Sequence, residues 1–231
     1  MKLLKQRYTA LRQRIRAAES RYGRTPGSVR IVGASKLQPV TALRSLAGLG
    51  QTAFGENYLQ EALSKMTKLA DLDLEWHFIG QIQSNKTRQI ATHFDWVHGV
   101  DRLKIAERLA QHRNPTSPPL NLCIQVNLAS EISKAGVPLD FDQLLQLAIQ
   151  IAELPNTRLR GLMTIPPPIE GLEQQRTVLK ELHAAQQQLI DEGLSLDTLS
   201  MGMSADIEAA IAEGATIVRP GTALFGPRPA L

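Results

Sequence analysis

Short apolar runs alternate along the chain with longer stretches whose apolar residues return at helical spacing. The short runs are rich in β-branched and large aliphatic residues. They predict strands at 29–34, 52–54, 76–79, 96–100, 120–126, 159–164, 198–201 and 216–219. Between them the spacing predicts helices over 39–49, 58–69, 84–92, 103–112, 141–154, 173–192 and 205–213. An amphipathic helix is also predicted at about 2–22, where Leu3, Leu4, Tyr8, Leu11 and Ile15 recur among basic residues. Strand and helix in alternation indicate a parallel sheet with crossover helices. Eight strands in one small domain indicate an α/β fold of the (β/α)8 TIM-barrel type. On periodicity alone, an open doubly wound sheet is the alternative.

Turn chemistry marks several boundaries. Pro39 can begin a helix, Ser84 and Ser204 are candidate N-caps, and Gly214 is placed to stop the helix before it. The segment 114–119 is a proline-rich loop, and Pro166-Pro167-Pro168 ends the sixth strand in a rigid one. No segment has the composition of an interdomain linker, so residues 1–231 read as one domain carrying its N-terminal helix.

Composition narrows the picture. The chain has 231 residues, which suits one TIM-type barrel of roughly 200–250 residues. Hydrophobic residues make up 43% and aromatics only 4%, so the core must be aliphatic. The net charge is +4, much of it at the N-terminus, where Lys2, Lys5, Arg7, Arg12, Arg14, Arg16, Arg21 and Arg24 face Glu19 alone. A basic helix can touch nucleic acid or a membrane surface. The interleaved apolar residues favour a helix docked on a core with a solvated outer face. Cys123 is the only cysteine and lies in an apolar run, which fits core packing in a reducing cytoplasm. No secretory segment or membrane-spanning run is present, so a soluble cytoplasmic protein is expected.

In a (β/α)8 barrel the chemistry sits at the C-terminal ends of the strands. Those ends carry Ser35-Lys36, Gly55-Glu56-Asn57, Gly80-Gln81, Gly99-Val100-Asp101, Asn127, Met163-Thr164, Gly202-Met203-Ser204 and Gly221-Thr222. A lysine at a barrel rim is partly desolvated, which favours its neutral amine and Schiff-base chemistry. The other reading of Lys36 is a solvated loop residue. Met201–Asp206 and Arg219–Thr222 follow the seventh and eighth strands, where barrels commonly hold phosphate. Amides and the Ser204 hydroxyl can serve that purpose, and Gly221 lets backbone approach a ligand; alone, each segment is also an ordinary turn. His77 reads equally as a core or a site histidine. His93, His98, His112 and His183 show no metal-ligand spacing.

These segments resemble the pyridoxal phosphate homeostasis protein family, whose fold is similar to the barrel domain of alanine racemase. The resemblance runs almost end to end. It is carried by Val32-Gly33-Ala34-Ser35-Lys36, Phe54-Gly55-Glu56-Asn57-Tyr58, the stretch 76–86, Gly161-Leu162-Met163-Thr164, the stretch 199–204 and Val218-Arg219-Pro220-Gly221-Thr222. It implies pyridoxal 5′-phosphate as cofactor, held as a Schiff base on Lys36. It implies that Ser204, Gly221 and Thr222 cradle the phosphate, that Asn57, Met163 and Ser200 line the cofactor, and that Arg219 faces the pyridine nitrogen. A cation there disfavours protonation of the ring and limits it as an electron sink. Alanine racemase also has a β-rich second domain, and its dimer partner supplies a catalytic tyrosine. This chain ends at Leu231 with no room for such a domain, and its tyrosines are Tyr8, Tyr22 and Tyr58.

The expected function is therefore a non-enzymatic carrier in vitamin B6 and amino-acid homeostasis, a monomer, with apo-enzymes as recipients and no nucleic-acid or membrane partner. The alternative is a racemase or decarboxylase using Tyr58 or His77 as acid or base. Two further readings are a barrel for another phosphorylated metabolite and a scaffold acting through a protein partner.

Overall fold

The first predicted strand forms as two short pieces, β1 (Arg30–Ile31) and β2 (Gly33–Ala34), separated at Val32. The computed structural model describes residues 2–129 and 135–227. The remaining strands are β3 (Ala53–Glu56), β4 (Glu75–Phe78), β5 (Trp96–Val100), β6 (Leu120–Asn127), β7 (Val137–Pro138), β8 (Thr157–Met163), β9 (Thr198–Ser200) and β10 (Ile217–Val218). Their order is β1-β10-β9-β8-β6-β5-β4-β3-β2, and every pairing is parallel. The two ends of that path are the two pieces of one strand. Val32 N–H bridges them by donating to Val218 O at 2.9 Å. The result is the expected (β/α)8 barrel rather than an open sheet. Among the described residues, only β7 lies off the ring, against β6.

Nine α-helices are described: α1 (Lys2–Arg21), α2 (Val40–Ala47), α3 (Leu59–Lys68), α4 (Thr87–His93), α5 (Leu103–His112), α6 (Phe141–Ala152), α7 (Leu172–Asp191), α8 (Ile207–Ala212) and α9 (Thr222–Phe225). Period-two alternation sorts the strand residues into two cores. Val32, Ala53, Trp96, Cys123, Met163 and Ile217 form a small cluster within the barrel. Their neighbours Phe54, Val97, Leu162 and Val218 join the large cluster between sheet and helices. Cys123 is thus core, and burial pushes its thiol up to about 12. The N-terminal mouth is closed by polar side chains. Arg160 pairs with Asp197 at 2.7 Å and lies over the Trp96 ring at 4.8 Å. Arg30 pairs with Glu75 at 2.7 Å.

Helix α1 buries Tyr8, Leu11 and Ile15, as its pattern predicts, and also Ala18 and Glu19, whereas Leu3 is left exposed. Its basic face is partly used for docking. Arg7 donates to Phe225 O at 2.8 Å, Arg14 pairs with Glu208 and donates to Ser204 O, and Arg24, three residues past the end of the helix, reaches the carbonyls of Ile211 and Ala215.

Two cap assignments need correction. Ser84 opens a 3-10 turn, Ser84–Lys86, ahead of α4. Gln83 is the residue at its N-cap, and the Ser84 carbonyl accepts from Thr87 Oγ1. Helix α8 starts at Ile207 with Asp206 as its N-cap, and the Ser204 hydroxyl is used elsewhere. Pro39 does precede α2 directly, and Gly214 follows α8 with φ of +95°.

Candidate functional site

The C-terminal mouth is built from the loops that leave the strands. After β2 the chain turns through Ser35, Lys36 and Leu37. Ser35 is fully buried; its N–H donates to Gly55 O at 2.8 Å and its hydroxyl to Glu56 Oε1 at 2.6 Å. Lys36 is half-buried. Leu37 has φ of +61°, a left-handed conformation that costs a β- or γ-branched residue energy and persists only where neighbours enforce it. Those neighbours come from α3. Lys65 Nζ donates to Ser35 O (2.7 Å), Glu56 Oε1 (2.7 Å) and Glu61 Oε1 (2.6 Å). Glu61 Oε1 in turn accepts from the Leu37 N–H at 2.6 Å. The residues on both sides of Lys36 are therefore held by one charged cluster. Burial raises the Glu56 carboxyl above its ordinary range, opposed by the bonds from Lys65 and Ser35.

Asn57 follows β3. Its backbone packs so closely on Gly80 that a Cβ there would come within 2.4 Å of the Asn57 carbonyl oxygen. The side-chain Oδ1 of Asn57 is buried without a hydrogen-bond partner. An orphan acceptor of this kind costs about 1–3 kcal/mol unless something meets it. Beside it a cavity of about 390 Å³ is lined by Asn57, Tyr58, Phe78, Gly80, Gln81 and Lys86.

On the opposite side, Met163 at the end of β8 pairs in register with Ser200 of β9. Both are fully buried. Arg219, after β10, donates to Ser200 Oγ at 2.7 Å and to Thr164 O at 2.8 Å. Burial lowers its guanidinium to about 10, which leaves it cationic at neutral pH. Ser200 Oγ also meets His98 Nδ1 at 2.8 Å, and His98 Nε2 meets His77 Nδ1 at 2.9 Å. His77 is thus a hydrogen-bonded interior histidine.

The third part of the site lies where α9 starts. Gly221 is its N-cap and Thr222 its first residue. Ser204 Oγ accepts from the Ala223 N–H at 2.9 Å, which draws Ser204 to this turn. Ala34 N–H donates to Pro220 O at 3.0 Å, which brings the lysine-bearing loop to the same turn. Next to Ser204 a cavity of about 470 Å³ is walled by Pro166, Pro167, Pro168, Met203 and Asp206.

The structure therefore joins Met163, Ser200 and Arg219 in one contact group, and Ser204, Gly221 and Thr222 in another, with Lys36 tied to the second through Ala34. Asn57 stands on the far side of Lys36, at the end of the neighbouring strand. The polar groups brought together are an amine, a buried cation, two hydroxyls, helix-start amides and, as an acceptor, the unmet amide oxygen of Asn57. That set fits a phosphorylated aromatic aldehyde. The Lys65–Glu56–Glu61 cluster and the His77–His98 pair are absent from the sequence reading. The one sequence signal for the first is the i, i+4 spacing of Glu61 and Lys65.

Residues 7–229 match the family model described as alanine racemase, N-terminal domain. A pyridoxal phosphate homeostasis protein of Pseudomonas aeruginosa is 55% identical over 216 residues, 93% of this chain and 91% of that one. The structure of PipY from Synechococcus elongatus with pyridoxal phosphate bound superposes with a TM-score of 0.84 at 37% identity, covering 96% of this chain and all of that one. Alanine racemase from Corynebacterium glutamicum shares the fold, with a TM-score of 0.68 at 16% identity over 96% of this chain and 62% of that one.

Proposed function

The chain belongs to the pyridoxal phosphate homeostasis protein family, and from that premise we propose that it binds pyridoxal 5′-phosphate covalently through Lys36 and serves to hold and hand over the cofactor inside the cell. Bound, the group supplies an aldehyde that condenses reversibly with a primary amine. The chain's own residues do the rest. Ser204, Gly221 and Thr222 would hold the phosphate, Arg219 would face the ring nitrogen, and Asn57, Met163 and Ser200 would line the ring. The observation that carries this reading is the hydrogen bond from Ala34 N–H to Pro220 O. It ties the lysine loop to the turn that contributes Arg219, Gly221 and Thr222.

A homeostatic role is favoured over turnover by the two candidate acid–base residues. Both ring nitrogens of His77 are engaged inside the barrel, by His98 and Glu75. Tyr58 is 55% exposed. Neither is poised to move a proton at a bound substrate within a dry site. The cytoplasmic assignment is supported by the single, buried Cys123. Among the described residues no helix is long and apolar enough to cross a membrane. The recipients are apo-enzymes that need the cofactor, and the carrier acts as a monomer.

Incubation with pyridoxal phosphate, reduction with borohydride and peptide mapping test the anchor. A visible band that bleaches and a label confined to Lys36 are expected. No band, or label scattered over surface lysines, would overturn the reading. Transfer to an apo-enzyme should exceed that from free cofactor at equal concentration, and light scattering should report one chain per particle.

A further inference from the structure

A line of polar groups crosses the barrel interior, and cofactor binding alone does not account for it. Arg219 Nη1 meets Ser200 Oγ at 2.7 Å, and Ser200 Oγ meets His98 Nδ1 at 2.8 Å. His98 Nε2 meets His77 Nδ1 at 2.9 Å, and His77 Nε2 meets Glu75 Oε1 at 2.5 Å. Ser200, His98 and His77 are fully buried, while Glu75 reaches the N-terminal mouth and pairs there with Arg30. The line thus runs from the proposed cofactor face to solvent at the opposite end of the barrel.

Its two ends dictate its direction. A guanidinium only donates and an ionised carboxylate only accepts. Burial pulls the Glu75 carboxyl upward, but the partners His77 and Arg30 outweigh it and hold the group below its ordinary range. Glu75 is therefore ionised, and His77 Nε2 must carry a proton. Burial also holds both imidazoles below their ordinary range, so each is neutral with one N–H. His77 Nδ1 then accepts from His98 Nε2–H, His98 Nδ1 accepts from the Ser200 hydroxyl, and Ser200 accepts from Arg219. Every proton points from Arg219 toward Glu75. The reversed arrangement sets a bare ring nitrogen against the Glu75 carboxylate and takes the Ser200 proton out of the line.

We propose that this directed chain couples the Glu75–Arg30 pair at the N-terminal mouth to Arg219 at the cofactor face, and that His98, His77 and Glu75 are positioning residues which fix how Arg219 meets the ligand ring. The proposal rests on the reading that Arg219 faces the ring. Its physical basis is polarisation. A hydroxyl that donates strongly on one side is a better acceptor on the other, and bonds in a low-dielectric interior reinforce one another. The stack of His77 on Trp96, 5.5 Å between centroids and 12° from parallel, holds the ring in line.

Two measurements test it on the full chain. The first is two-bond nitrogen–proton NMR of the histidines without cofactor, from pH 7 to 8. The groups acting on His77 are Glu75, Arg30 and Asp95, and those acting on His98 are His77, Arg219 and Arg30. Both rings should be neutral with the proton on Nε2 throughout. A proton on Nδ1 of either, or a charged ring, overturns the direction. The second compares pyridoxal phosphate binding in the wild type, His98→Phe, His98→Gln and Glu75→Ala. His98→Phe should raise Kd about tenfold, the scale of one weakened buried bond, and shift the visible band while Lys36 still takes the label. His98→Gln keeps a donor and an acceptor and should restore most of the affinity. Glu75→Ala, altered at the half-exposed end, should shift the band in the same sense even if His98→Phe does not fold. Unchanged Kd and band in the folded variants overturn the coupling. A wild type that takes up no cofactor overturns the reading of the site and leaves the NMR result standing.

Discussion

Replacing Lys65 by methionine keeps the length of the side chain and removes its charge and three donors. Lys65 is 4% exposed and Glu56 is wholly buried. Taking one partner from a buried ion pair costs about 3–5 kcal/mol, mostly because the other charge is left behind. At roughly 2–4 °C per kcal/mol for a chain of this size, Tm should fall by about 10 °C. The loss should depend on pH in a set direction. The Glu56 carboxyl is already raised by burial, opposed by Lys65. Without Lys65 it rises further. A carboxyl raised in the folded state contributes stability below its unfolded value that is lost as pH climbs through the folded value. The deficit of Lys65→Met should therefore be smallest near pH 5 and grow toward pH 8. Glu56→Gln placed on top of Lys65→Met removes the stranded charge and should recover more than half of the loss. Calorimetry of the wild type, both single variants and the double variant at three pH values is the assay. A loss below about 1 kcal/mol at pH 8, or an additive double variant, would refute the argument.

Three other outcomes follow from the geometry. Gly80→Ala drives a Cβ against the Asn57 backbone and should cost about 1–3 kcal/mol in urea unfolding while weakening cofactor uptake. Cys123, with its thiol pushed up to about 12, should resist a thiol reagent at pH 8 in the folded chain and react once the chain is unfolded. Arg14→Ala cuts the tie from α1 to Glu208 and the Ser204 carbonyl. It should lower stability by about 1 kcal/mol, since the pair is a third exposed, and should speed cofactor release by loosening the Ser204 turn.

Much of the barrel is legible in the sequence because its strands carry a period-two pattern and its helices a 3.6-residue one. Trp76 and Phe78 face the helices while Glu75 and His77 share the other face, and that alternation can be read directly from residues 75–78. The C-terminal mouth is legible for the same reason, since knowing where strands end locates Lys36, Ser204 and Arg219. Side-chain networks between strands are not legible. His77 and His98 are 21 residues apart, and only the offset between β4 and β5 brings their rings together. Ser204 reads as an N-cap for α8 because a hydroxyl precedes a helix. Its hydroxyl instead accepts from the Ala223 N–H in α9, a helix of four residues that is too short to leave a periodic signal. The break at Val32 is equally silent, as an apolar residue there suits one strand or two.

The docking of α1 has a consequence for the order in which the molecule can assemble. Arg7 bonds to a residue 218 positions later, and Arg14 to one 194 positions later. On a ribosome adding about 5–20 residues per second, the first helix emerges tens of seconds before its partners exist. For that interval Leu11 and Ile15 have no core to join, and the seam between the first strand and β10 stays open. Ring closure must await the synthesis of β10, so release of the nascent chain before that strand should yield an aggregation-prone product rather than a smaller folded one.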